Sequence, residues 1–240
     1  MTNRYFLHPA TVFFLLTLLA AFLSWVGSIY GWEDIQSLLS AEGFRWQLRN
    51  SVPGFLHAPL LGHLLVLAFG AGLWMHSGVG ALGLRLLQKR GKCTRKEKRA
   101  LGWSIVAGAI CLFIGIVLAW GPWGVVRSIT GGLRNSPLAE GFTSLLSVMV
   151  GMMAMVYGFA IDMYRTDRDL VRGLSYGFVY FSGYFITLFF VVQFFASLHY
   201  TGLDALLGIS PVAFRICYTV CALGMLFFSG NKPARDRDNR

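Results

Sequence analysis

The run FTSLLSVMVGMMAMVYGFAI (142–161), the connector DMYRTDRDLVR (162–172) and the run GLSYGFVYFSGYFITLFFVVQFFASLHY (173–200) decide the fold. Neither run contains Asp, Glu, Lys or Arg, and each is long enough as a helix to cross ~30 Å of hydrocarbon. In lipid every backbone amide needs an internal partner, so a helix or a closed barrel is required, and these runs lack the strict alternation of a barrel strand. A transmembrane helical hairpin is therefore expected.

The rest of the chain extends this reading. Hydrophobic residues make up 55% of the 240 and charged residues 13%, and the mean hydropathy is +0.59, which excludes an ordinary soluble domain. A net charge of +10 would suit nucleic acid in a soluble protein, but the cations cluster between apolar runs, so no nucleic-acid partner is expected. We expect an all-α polytopic membrane protein, a single membrane domain over 1–240. Its spans are expected at about 11–30, 58–84, 101–126, 142–161, 173–200 and 208–229, with a disordered basic tail at 231–240.

Between the first two spans, Glu33 to Pro53 mixes apolar residues with Glu33, Asp34, Glu42, Arg45 and Arg49. That mixture suits a helix lying in the headgroup region or a packed loop outside the membrane. The uncharged stretch from Val52 to Leu84 is longer than one crossing requires; a lead-in around His57–Pro59 or a break near Gly70–Gly72 would absorb the excess, but a single tilted crossing is expected.

Arg85, Lys89, Arg90, Lys92, Arg95, Lys96, Lys98 and Arg99 crowd the loop 85–100, opposed only by Glu97. Such a cluster fixes orientation and attracts anionic headgroups, making membrane lipids expected partners. With this loop cytoplasmic, six spans put both termini inside. The outer loops then carry only Arg45, Arg49, Arg127 and Arg134.

Candidate chemistry is sparse. No zinc helix, phosphate-binding loop or protease pair is present, and neither an enzyme nor a cofactor or metal is expected. His57, His63 and His76 share the uncharged stretch from Val52 to Leu84 but point in different directions at ~100° per residue, and the four cysteines read as free thiols. Arg215 is the ionisable residue well inside a predicted span, where a cation costs ~3 kcal/mol or more unless it snorkels. Arg215, His63 and Gln193 are the substrate-binding candidates. The alternating Asp162, Arg165, Asp167, Arg168, Asp169 and Arg172 read as a self-compensated solvated turn.

Several segments carry a family resemblance: HPATVFFLL from His8, SWVGSIY from Ser24, LLSAEGFRW from Leu38, EKRALGW from Glu97, VYG at 156–158, TDRDLV at 166–171 and VQFF at 192–195. The chain resembles the p-aminobenzoyl-glutamate transporter (AbgT) family of bacterial inner-membrane proteins. The resemblance implies ion-coupled transport of p-aminobenzoyl-glutamate-like or sulfonamide-like solutes by a homodimer. Family members are about twice this length, with two re-entrant hairpins carrying the substrate-facing motifs. Here only the basic loop lies between Gln88 and Arg95, where the first hairpin would be inserted, and the second is not found after Phe227. No family binding residue can be carried over. The alternative is a non-transporting scaffold or accessory, dimerising subunit, partnered by a full-length transporter or another membrane protein.

Overall fold

The computed structural model describes residues 8–58, 61–87, 94–120 and 136–228. Among these residues every regular element is helical: α1 (Pro9–Ile29), α2 (Ala41–Leu56), α3 (Leu61–Ser77), α4 (Val79–Leu87), α5 (Arg95–Trp120), α6 (Pro137–Ala160), α7 (Asp167–Tyr200), α8 (Leu203–Leu206) and α9 (Pro211–Phe228). The expected all-α membrane fold is present. Helices α1, α5, α6 and α7 are each long and apolar enough to cross a membrane, and α2 with α3 would make a fifth as one interrupted span. The shorter α9 is also apolar.

The helix starts follow from local chemistry. At Pro9 the fixed φ of proline suits the first turn, and His8 accepts from the Ala10 amide. Ser40, Ser136 and Ser210 each accept from the amide three residues on, satisfying donors that a helix N-terminus leaves unpaired. Thr94 with Glu97 and Thr166 with Asp169 form reciprocal capping boxes. Within the uncharged 58–84 stretch, the helix is interrupted at Gly78, whose φ of 75° is readily adopted only without a side chain. Gly70 and Gly72 lie inside α3, and the stretch 33–53 becomes helical at Ala41.

The chain forms two compact units, the first made of residues 1–62 and 181–240, the second of 63–180. In the first, Phe13, Val191 and Phe195 form a buried centre for α1 and α7, joined by Phe214, Tyr218 and Met225 of α9. The linker after α1 is fastened at Gln36 and Leu38. Ser24 Oγ accepts from the Leu38 amide at 3.1 Å, and the Gln36 amide donates to the Thr201 carbonyl.

In the second unit, Leu73, Ala154 and Tyr164 form one buried cluster and Val79, Leu82, Ala100 and Tyr157 another. Close backbone approach makes this packing possible. A Cβ on Gly177 would stand 1.9 Å from the Ala68 carbonyl oxygen, and one on Gly70 would stand 2.4 Å from that of Ser147. The end of the expected third span, 121–126, the outer-loop residues Arg127 and Arg134, and the tail 231–240 lie outside the described residues.

Candidate functional site

The densest buried polar chemistry in the first unit lies where α2 meets α7. Gln193 is 6% exposed. Its side-chain oxygen accepts from Gln47 Nε2 at 2.8 Å, and its own Nε2 donates to the Ser51 carbonyl at 2.8 Å. Ser197 Oγ donates to Gln47 Oε1 at 3.4 Å. Gln47 and Ser51 are one turn apart on α2, as are Gln193 and Ser197 on α7, so each helix presents a polar pair on one face. Aromatic contacts flank the seam: Trp46 stacks on Tyr200 with centroids 4.1 Å apart, and Phe55 meets Phe189 edge-on. Each amide thus has a partner away from water, as burial demands.

The other two candidates lie elsewhere. Arg215 is exposed on the first full turn of α9; its carbonyl accepts from Thr219, and no described residue forms an ion pair with its guanidinium. His63 is exposed in the first turn of α3 and belongs to the second unit, whereas Gln193 and Arg215 belong to the first. Gln193 faces α2 while Arg215 faces outward, so the described interactions do not bring these two together.

Two surface cavities, each of about 320 Å³, are lined almost wholly by apolar groups. One, in the second unit, lies among Phe69, Leu73, Met152 and Met155, with Ser147 as its hydroxyl. That hydroxyl donates to the Val66 carbonyl at 2.6 Å and accepts from the Gly70 amide, leaving a pocket suited to an apolar or aromatic group. The other, in the first unit, is bounded by Leu16, Leu23, Trp32, Phe194 and Leu207.

The connector in the second unit departs from a self-compensated turn. Asp162 pairs with Lys96 of the basic segment, and Arg165 Nε donates to the Asp162 carbonyl. The Lys96 hydrogen bond, and then its charge, hold the Asp162 carboxyl below its ordinary range. Asp169 is lowered first by the Thr166 hydroxyl, then by the Arg165 and Thr166 amides. Helix capping therefore orders Asp169 more than the neighbouring arginines do, because unpaired amides lie within bonding reach. Glu97 is likewise lowered, chiefly by the Thr94 amide.

Tyr164 is the residue that charge pattern conceals. It is 2% exposed in the middle of this charged connector. Its ring fills the spaces left by Gly158 and Gly173 and lies parallel to His76, whose Nδ1 is 3.3 Å from the Tyr164 hydroxyl. Burial pushes its pKa up to about 12. The missing side chains of Gly158 and Gly173 were the available sequence signal for an inserted ring.

Of the basic cluster, Arg85 lies in the last turn of α4 and Arg95, Lys96, Lys98 and Arg99 occupy the first turns of α5; Lys89, Arg90 and Lys92 lie outside the described residues. Cys111, Cys217 and Cys221 are free thiols.

The sequence profile of the AbgT transporter family matches residues 84–215, from the end of α4 into α9. The chain belongs to the AbgT family. Its fold is similar to that of the Alcanivorax borkumensis YdaH transporter, described as having an unusual topology, with a TM-score of 0.73 at 17% identity, over 92% of this chain and 77% of that one. It is also similar to Neisseria gonorrhoeae MtrF, described within a class of antimetabolite efflux pumps, with a TM-score of 0.66 at 16% identity, over 84% of this chain and 71% of that one. No curated protein matches the chain. It is a multi-pass membrane protein with an AbgT transporter fold.

Proposed function

We propose that the chain is an ion-coupled transport protein of the bacterial inner membrane for p-aminobenzoyl-glutamate-like or sulfonamide-like solutes. The observation carrying this reading is the family match over residues 84–215. MtrF's description as an antimetabolite efflux pump supports the solute class, and an apolar cavity of about 320 Å³ suits an aromatic ring. Arg215 is the cation to test against a solute carboxylate. The topology belonging to this reading has six spans, both termini inside and the basic loop cytoplasmic, in a homodimer.

A specific observation favours a second reading, a membrane scaffold or accessory subunit working with a full-length transporter or another membrane protein. In the first unit Gln47, Ser51, Gln193 and Ser197 bond to one another, and Ser147 of the second unit bonds to α3 backbone. These groups serve packing, whereas a polar-solute site offers convergent groups to the solute.

The full chain, reconstituted alone in sealed liposomes, separates the readings. Uptake of labelled p-aminobenzoyl-glutamate or sulfonamide under an imposed proton or sodium gradient, above that of empty vesicles, is the expected result. Absence of flux from folded, dimeric protein would overturn transport by this chain alone and favour the scaffold.

A further inference from the structure

Helix α5, which lies wholly in the second unit, presents two contrasting faces. Toward α6 it offers Ala100, Ser104 and Gly108, all buried, with Ser104 Oγ donating to the Met153 carbonyl at 2.8 Å and Gly108 meeting the Met153 side chain. Small residues at this spacing let two helices approach closely in lipid. The opposite face carries Arg99, Trp103, Val106, Ile110, Phe113, Val117 and Trp120 in alternating steps of four and three, which is one stripe along an α-helix. Trp103 is 60% exposed, Phe113 65% and Trp120 59%.

The stripe has a direction. Trp103 and Trp120 are separated by ~26 Å of helix rise, close to the ~30 Å hydrocarbon thickness, and tryptophan favours the two interfaces. Arg99 then stands one turn beyond Trp103, ~6 Å farther out, at headgroup depth. Lys96, one turn before it, is engaged by Asp162. Arg99 is exposed, and no described residue forms an ion pair with it.

We propose that this outward face of α5 binds an anionic phospholipid from the leaflet on the basic-loop side. Arg99 takes the phosphate, with the planar fork that suits phosphate oxygens. Trp103 packs at the glycerol level and the acyl chains lie along Val106, Ile110 and Phe113. Charge decides against a second copy of the chain as occupant. A two-fold pair with its axis along the membrane normal would set this stripe against itself, placing Arg99 opposite Arg99, and like charges repel.

The test uses the full chain in phosphatidylcholine vesicles containing brominated-acyl phosphatidylglycerol or, at equal mole fraction, brominated phosphatidylcholine. Subtracting Trp103→Phe from the unsubstituted chain isolates the quenching of Trp103. The expected result is about fivefold stronger association with phosphatidylglycerol, the size of one cation's contribution at a membrane surface. Arg99→Gln should abolish that preference and Arg99→Lys should retain most of it. Equal quenching by the two lipids, or an undiminished preference in Arg99→Gln, would overturn the proposal. The first comparison decides it even if Arg99→Gln fails to fold. A Phe113→Cys chain that forms intermolecular disulfides beyond the unsubstituted background would assign the face to a second copy and also overturn it.

Discussion

The two units solve the same packing problem differently. In the first, α2 is tied to α7 by side-chain amides and α7 to α9 by the Tyr184 hydroxyl, which donates to the Ala222 carbonyl at 3.1 Å. In the second, α3 meets α6 and α7 mainly where side chains are missing, at Gly70, Gly72 and Gly177, with the Ser147 hydroxyl of α6 bonded to the α3 backbone at the first of these. Lipid tails are as apolar as leucine, so burying leucine provides little drive for helices to associate. Backbone contact and hydrogen bonds are the two remaining means. The first tolerates no added atom, while the second tolerates a partner of similar shape. Their sensitivities to substitution should therefore differ.

The largest effect is expected at Gly177. An added methyl group collides with the Ala68 backbone rather than with a flexible side chain, so Gly177→Ala should cost about 3 kcal/mol by displacing a helix. Gly115, with nothing within 4 Å of its would-be Cβ, is the control: Gly115→Ala should stabilise by up to about 1 kcal/mol through helix propensity. Reversible unfolding in mixed micelles measures both. Equal values would break the contrast between closed and open glycines.

Next is the slot around Tyr164. A Cβ on Gly158 would stand 2.2 Å from the ring, so Gly158→Ala should displace the ring at about 2 kcal/mol. The unsubstituted chain should ionise Tyr164 only near pH 12, whereas the variant should move toward the ordinary value of 10.0. Because the folded value is raised, the stabilisation from the neutral phenol is fully present below pH 10.0 and lost as pH rises through about 12. Absorbance titration of phenolate reads this shift.

The amide seam should yield less. Gln193→Leu strands Gln47 Nε2 and the Ser51 carbonyl and should cost about 1–2 kcal/mol. Adding Gln47→Leu should cost less than the sum of the two single changes, because it removes the Gln47 Nε2 that the first change strands. Strict additivity in the same unfolding measurement would show that the two glutamines do not act as a unit.

The smallest effect should come from the cap of α7. Thr166→Ala should cost about 1 kcal/mol. Since the folded pKa of Asp169 is depressed, its capping contribution is present above the ordinary 3.8 and lost as pH falls below it. The difference between Thr166→Ala and the unsubstituted chain should accordingly narrow in acid. A constant difference from pH 7 to 3 would remove Asp169 from the cap.

Much of the architecture is written in local chemistry. The apolar runs behind α1, α5, α6 and α7 can be read without a fold, although the Ser and Thr caps start α5, α6 and α7 ahead of the apolar runs, at Arg95, Pro137 and Asp167. The partner of Gln193 cannot. Gln47 lies 146 residues away, in a stretch whose charged residues fit a headgroup helix or a loop equally. Tyr164 was concealed for the converse reason: its neighbours are charged, while the glycines admitting its ring lie on α6 and α7. Of Arg215, His63 and Gln193, only Gln193 sits in a buried polar arrangement, and that arrangement is a packing seam.

The sequence by itself determined that this chain enters a membrane as helices and that its cations gather between apolar runs, because hydropathy acts over short distances. Tertiary structure decided which glycines touch backbone, which polar groups pair, and which face of α5 is left outward. Those choices depend on helices distant in sequence meeting within a few ångströms, where a single methyl group determines whether they fit.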